Sequence, residues 1–90
     1  MPRYLIERSF PDVLRLGGNH ETAAAVDSVL AINGEQGVTW VHSYVSEDRK
    51  QMFCVYEGPN PEAIRRVSEK NRLPVDRITR ISVLDPHFLH

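Results

Sequence analysis

The residues best suited to chemistry lie in one short stretch of the chain, residues 37–59, which reads GVTWVHSYVSEDRKQMFCVYEGP. This stretch holds the only tryptophan and the only cysteine of the sequence, together with one histidine and two tyrosines. Two segments rich in β-branched and aromatic residues, 38–45 and 51–57, flank the polar sequence SEDRK, a pattern that predicts two strands joined by a turn. The chemistry then depends on which side chains share a face of this hairpin.

Side chains alternate between the two faces of a strand, so each predicted strand divides its residues into two sets. A turn centred on Asp48 places the aromatic and functional set of both strands on one face, as three opposed pairs. These predicted pairs are Trp40 with Tyr56, His42 with Cys54, and Tyr44 with Met52. The more aliphatic set, which suits a core beneath helices, comprises Val41, Val45, Phe53 and Val55. The first set is therefore predicted to face away from the helices.

A carboxylate joins that outward face if the first strand turns Tyr4 and Ile6 towards the helices. Glu7 then lies near His42 and Cys54, on three neighbouring strands. Imidazole, thiolate and carboxylate together suit a borderline divalent metal such as nickel, zinc or copper. The residue types therefore predict a metal site with His42, Glu7 and Cys54 as its ligands.

Two other interpretations of the same face stay open. His42 and Cys54 could form a Cys–His pair for nucleophilic chemistry. The face could instead be a packed seam between two copies of the chain, with Cys54 as a small buried hydrophobe. The bulky residues around them line either a dimer seam or a pocket, and these are Trp40, Tyr44, Met52 and Tyr56.

The C-terminal sequence HFLH carries two more histidines, His87 and His90, at a spacing of three residues. A terminus of this kind can bind a metal loosely, but it has no recognisable spacing motif of partner ligands. We take both histidines as secondary metal candidates, with a plain solvated terminus as the alternative.

Local signals along the chain predict four strands and two helices in the order βαββαβ. Strands are predicted over residues 3–10, 38–45, 51–57 and 78–84. Gly17-Gly18 indicates a turn before a helix that Asn19 caps and Gly37 ends, and a second helix starts at Asn60-Pro61. The predicted buried stripe of the first helix is Ala23, Val26, Val29, Leu30 and Asn33, and the apolar face of the second is Ala63, Ile64 and Val67. Connection rules fold this order most easily into a ferredoxin-like α+β sandwich, a four-stranded antiparallel sheet with both helices on one face. We expect a single domain over residues 1–90, and a homodimer that covers the other sheet face.

The charge balance and the cysteine content narrow the classes of partner and compartment. Eleven basic and twelve acidic residues give a net charge of −1, so the chain has no strong field to attract nucleic acid or an anionic membrane. A single cysteine fits a reducing compartment, and the N-terminal MPRYLIERSF lacks the apolar run of a signal peptide. We expect a cytoplasmic protein without nucleic-acid or membrane partners.

Three segments of the chain also carry a family resemblance: MPRYLIERSFP, GVTWVHSYVSEDRKQMFCVYEGPNPEAIRR and NRLPVDRITRISVLDPHF. Together they resemble a bacterial family of small ferredoxin-like domains that includes the nickel-responsive, nickel-binding proteins of actinobacteria. The resemblance implies a ferredoxin-like fold, a homodimer and, in the nickel-binding branch, metal held at the dimer surface. The matching positions here are Glu7, His42 and Cys54, along with the D-P-H-F tail.

The function that these observations favour is a small cytoplasmic dimeric metal-binding protein, for nickel sequestration or response. One alternative is a small enzyme of the dimeric α/β-barrel type that uses the outward sheet face as a pocket, with His42 as general base and Tyr44 or Tyr56 as orienting donors. Another is a dimeric interaction module without small-molecule chemistry. A deep pocket lined by Trp40, His42 and Cys54 favours the enzyme, and a flat face counts against it.

Overall fold

The structure, a computed structural model, describes the backbone of residues 1–12 and 20–87, and the side chains of these residues except 20–22. Its elements follow the predicted order βαββαβ. They are β1 (Arg3–Ser9), α1 (His20–Glu35), β2 (Thr39–Val45), β3 (Gln51–Glu57), α2 (Pro61–Lys70) and β4 (Arg77–Ile81). The predictions for Gly17-Gly18 as a turn and Asn19 as a helix cap lie outside the described residues.

The four strands form one antiparallel sheet in the order β2-β3-β1-β4. Both helices lie against the same face of the sheet, because residues of α1 and of α2 contact the same buried side chains of β3. This arrangement is the ferredoxin-like sandwich that the sequence predicts. It makes β2 and β4 the edge strands, and no helix of the described residues covers the other sheet face.

Helix α2 begins and packs as its sequence predicts. Asn60 caps it by accepting a hydrogen bond from the Ala63 amide at 2.8 Å, and Pro61 occupies the first turn, where no amide donor is needed. The predicted apolar face of Ala63, Ile64 and Val67 is fully buried against the sheet. This helix therefore closes most of the core.

Helix α1 covers the sheet less completely. Asn33, at the end of its predicted buried stripe, is buried, but Val26 and Val29 are half-buried and Leu30 is 47% exposed. The helix ends at Glu35, and Gly37 follows with a positive φ of 68°, a conformation that glycine adopts without steric cost. The predicted stripe is thus only partly used, and α1 packs loosely.

The SEDRK turn is a polar hairpin loop held by its own side chains. The Asp48 carboxylate accepts hydrogen bonds from the Ser46 hydroxyl at 2.6 Å and from the Lys50 amide at 3.0 Å. Both bonds lower the pKa of Asp48, and the bond from Ser46 has the larger effect.

Among the described residues, no helix combines the length and the apolar character that crossing a bilayer requires.

Candidate functional site

The orientation predicted for β3 is wrong, and the structure reverses it. Cys54 and Tyr56, each 2% exposed, face the helices and join the core cluster with Ile64 and Val67 of α2. Phe53 and Val55 therefore face the opposite side. Aliphatic and aromatic side chains both suit burial, so their types do not decide which face meets the helices, and the small cysteine leaves room for α2 to approach.

A β-bulge in β2 splits the predicted row of functional residues. Trp40 pairs with Tyr56, as predicted, but the next pair in register is His42 with Val55, which leaves Val41 as the extra residue. Beyond the bulge Ser43 pairs with Cys54 and Tyr44 pairs with Phe53. The predicted pairs His42–Cys54 and Tyr44–Met52 are therefore wrong.

We use the term open face for the sheet face opposite the helices. Two rows of paired residues form its centre, and each row crosses the strands in the order β2, β3, β1, β4. The first row is His42, Val55, Leu5 and Thr79, and the second is Tyr44, Phe53, Glu7 and Arg77. The centre of the open face on β1 and β3 is thus apolar except for Glu7, with His42 and Tyr44 along the β2 edge and Thr79 and Arg77 along the β4 edge.

His42 is exposed at the β2 edge of the open face, and its ring meets that of Tyr44 edge to face at 5.1 Å. Glu7 shares this face, as predicted, and its carboxylate lies 3.8 Å from the Arg77 guanidinium. Glu7 and His42 lie in neighbouring rows of the open face, on strands that are separated by β3. Standard sheet spacings therefore place their Cα atoms roughly 12 Å apart. His42 and Glu7 therefore share a face without direct contact.

Cys54 does not join them, because it lies on the helix side of the sheet. Within the described ranges, no group of three or more histidine, cysteine, aspartate or glutamate side chains is close enough to hold a metal ion. The predicted cluster of His42, Glu7 and Cys54 is thus not formed by one chain. A metal-binding role for each residue stays a prediction, but Cys54 cannot share one site with His42 and Glu7, because it lies on the other face of the sheet.

Of the secondary candidates, His87 is exposed after β4, and its amide donates to the Asp85 carboxylate at 2.9 Å. His90 lies outside the described residues. The structure does not test whether His87 or His90 binds metal, so this role stays a prediction for both.

The arrangement expected for the enzyme alternative does not form. His42 and Tyr44 lie on the open face, whereas Trp40, Cys54 and Tyr56 line a cavity on the helix side. Burial raises the pKa of Tyr56, against the opposing charge of Arg8, so its hydroxyl is neutral at physiological pH. His42 is therefore not among the residues that line this cavity, and the Tyr56 donor lies on the opposite face of the sheet from it.

Arg8 is a buried charged residue that the sequence reasoning gave no role. It is 1% exposed, and its guanidinium donates to the Pro74 carbonyl at 2.8 Å and to the Ser68 hydroxyl at 3.2 Å. The signal for its burial was present, because Arg8 follows Tyr4 and Ile6 at the two-residue spacing of the buried face of β1.

Comparison with known proteins identifies a family and solved structures of the same fold. A family model described as nickel responsive protein SCO4226-like matches residues 4–81. The crystal structure of SCO4226 from Streptomyces coelicolor A3(2) aligns with 92% of this chain and 99% of that chain, with a TM-score of 0.73 and 18% sequence identity. At this identity the structural match supports the fold alone. A search of curated protein sequences gave no significant match.

Proposed function

The chain belongs to the SCO4226-like family of nickel responsive proteins, and from this premise we propose that it binds nickel, or another divalent transition metal, between two copies of itself. The observation that carries the proposal is the exposed imidazole of His42 on the open face. Imidazole is a ligand that nickel, zinc and copper all accept. We further propose sequestration of the metal, or a response to it, in the cytoplasm.

A second copy is part of the proposal because the described residues of one chain supply too few ligands. His42 and Glu7 are the imidazole and carboxylate that the described residues bring to the open face. A twofold partner that packs through the same face doubles both groups and brings opposed copies within reach. Glu7 is available for this role, because its contact with Arg77 is long and exposed, a type of ion pair worth about 0–1 kcal/mol.

The chemistry of the open face supports a homodimer. Val55 is buried and Leu5 and Phe53 are half-buried, yet no helix covers them, and Tyr44 beside them is 62% exposed. An apolar centre with a polar rim is typical of a surface that pairs with another protein. The net charge of −1 supports neither nucleic acid nor an anionic membrane as the partner.

The organisation of residues 1–90 as a single domain stays a prediction.

Calorimetric titration with Ni²⁺ tests the metal site. We expect His42→Ala to weaken nickel binding at least tenfold and Glu7→Gln to weaken it less. Cys54→Ser serves as the matched control, because Cys54 lies on the helix side and its loss leaves the affinity unchanged. If His42→Ala binds nickel as tightly as the wild type, His42 is not a ligand. If Cys54→Ser no longer binds nickel, the ligands lie on the helix side of the sheet and not on the open face, which contradicts the proposal. A His87→Ala/His90→Ala variant measures the contribution of the tail.

Light scattering coupled to size exclusion tests the dimer. The wild-type protein is expected at twice the chain mass of 10.3 kDa. Phe53→Glu places a charge in the apolar centre of the open face and should give the monomer, whereas Glu62→Gln, on the exposed side of α2, should leave the dimer intact. A wild-type monomer, with or without nickel, contradicts the shared site. A dimer that binds no metal favours the interaction module instead.

A further inference from the structure

A second candidate site lies on the helix side of the sheet, between α1 and the buried face of β1, β2 and β3. It is a cavity of about 170 Å³. Its lining consists of Arg8, Phe10, Ala25, Val26, Val29, Trp40, Met52, Cys54, Tyr56 and Leu73. None of the open-face residues is among them, so this cavity is separate from the proposed metal site.

The cavity exists because α1 packs loosely over large side chains of the sheet. Val26 and Val29 are half-buried, and Trp40 and Met52 opposite them are half-buried as well. The cavity is partly open to solvent, since Ala25 in its lining is exposed, and its apolar lining atoms lack the dispersion contacts of a packed interior. An enclosed apolar cavity of about 150 Å³ accepts a benzene ring. A molecule with one aromatic ring therefore fits this volume and restores the missing contacts.

The buried charge beside the cavity decides which molecule of that size fits best. Arg8 lines the cavity with the carbon atoms of its side chain only, because its guanidinium nitrogens are buried and do not reach the cavity surface. The guanidinium lies 5.7 Å from the centre of the Tyr56 ring. Its two terminal nitrogens donate to the neutral groups of Pro74 and Ser68, while its Nε has no hydrogen-bond partner in the described part of the chain. No acidic side chain of the described residues forms an ion pair with Arg8.

A buried cation with only neutral partners is unfavourable, and an anionic group nearby offsets this cost. We propose that the cavity binds a small aromatic carboxylate, with its ring among Trp40, Met52 and Val29 and its carboxylate at the Arg8 end. A slight shift of the side chains around Arg8 then lets Nε donate to a carboxylate oxygen. This inference does not depend on the proposed metal function.

The only tryptophan of the chain lines the cavity, so its fluorescence reports occupancy directly. Titration of the wild-type protein with phenylacetate should change the Trp40 emission saturably and raise the melting temperature. Benzyl alcohol, a neutral ring of similar size, should bind at least tenfold more weakly. Equal binding of the two compounds overturns the role of Arg8, and the absence of saturable binding overturns the site.

Variants locate the binding. Val29→Phe fills the cavity from α1 and should abolish the phenylacetate response. Leu30→Phe is the matched control, because Leu30 is 47% exposed on the same helix and does not line the cavity. Arg8→Met, where it folds, should bind phenylacetate and benzyl alcohol alike. A phenylacetate response that survives in Val29→Phe contradicts the proposal even if Arg8→Met does not fold.

Discussion

Trp40 and His42 are separated by one residue, yet their side chains lie on opposite faces of the sheet. Trp40 pairs with Tyr56 and packs against the core, whereas His42 pairs with Val55 and is exposed on the open face. Regular alternation would put both on one face. The extra residue of the bulge, Val41, reverses the alternation between them and so separates an aromatic side chain of the core from the imidazole that we propose binds metal.

Deletion of Val41 should leave both side chains on their present faces. The pairs Trp40–Tyr56 and His42–Val55 then follow one another as a regular ladder, and the loss is limited to the half-buried valine side chain, about 1 kcal/mol. Deletion of Ser43, a paired residue of the same strand, shifts the rest of β2 by one position and should destabilise the protein far more. Chemical denaturation of the two variants compares them. Equal destabilisation contradicts the bulge at Val41.

Local signals in the sequence were sufficient for the elements and for part of the open face. The Asn60-Pro61 start of α2 and the apolar positions of that helix depend on neighbours within one turn, and they are confirmed. The placement of Glu7 on the open face is confirmed because β1 is a regular strand. Cys54 is not on that face. His42 is on it, as predicted, but only because of the β-bulge, which no residue type in the sequence indicated.

Arg8 shows why the helix side was harder to predict. Its guanidinium donates to the Ser68 hydroxyl and the Pro74 carbonyl, which lie 60 and 66 positions away in the sequence. Only the folded chain brings these groups together. An arginine on a strand indicates exposure when its partners are unknown. The cavity beside it depends in the same way on how closely α1 approaches the sheet, which periodicity within α1 does not determine.

The cap of α2 should contribute a measurable part of the stability. Asn60→Ala removes the acceptor for the Ala63 amide, which is expected to lower the free energy of unfolding by about 1 kcal/mol. Asn60→Asp retains an acceptor oxygen and adds a negative charge at the helix N-terminus, so it should match or exceed the wild type. Urea denaturation at neutral pH distinguishes the two. Similar losses in both variants indicate that the hydrogen bond is not what stabilises the start of α2.

The stability of the protein should fall at high pH because of Tyr56. Burial raises the pKa of Tyr56, while a tyrosine of the unfolded chain ionises near its ordinary value of about 10. Below pH 10 the phenol is neutral in both states and its contribution is fully present. Above pH 10 the unfolded chain loses the proton first, so stability falls until the pH passes the folded-state pKa.

Tyr56→Phe should reduce the slope of stability against pH above 10, as measured by denaturant unfolding at a series of pH values. Tyr44→Phe removes a hydroxyl that lies on the exposed open face and is the matched control. If both variants keep the wild-type slope, the burial of the Tyr56 hydroxyl does not govern the alkaline transition.

Ser68 should contribute to stability through the hydrogen bond that its hydroxyl accepts from Arg8 and not through its own packing. Ser68→Ala removes the acceptor of one guanidinium nitrogen and leaves a buried, charged donor without a partner, which costs about 1–3 kcal/mol. The exposed Ser82 provides the control, since Ser82→Ala changes no buried group and is expected to stay within about 0.5 kcal/mol of the wild type. In an Arg8→Met background the Ser68→Ala change should lose most of its effect, because the donor is gone. Equal effects of Ser68→Ala in both backgrounds, measured by a double-mutant cycle, contradict the coupling between the two side chains.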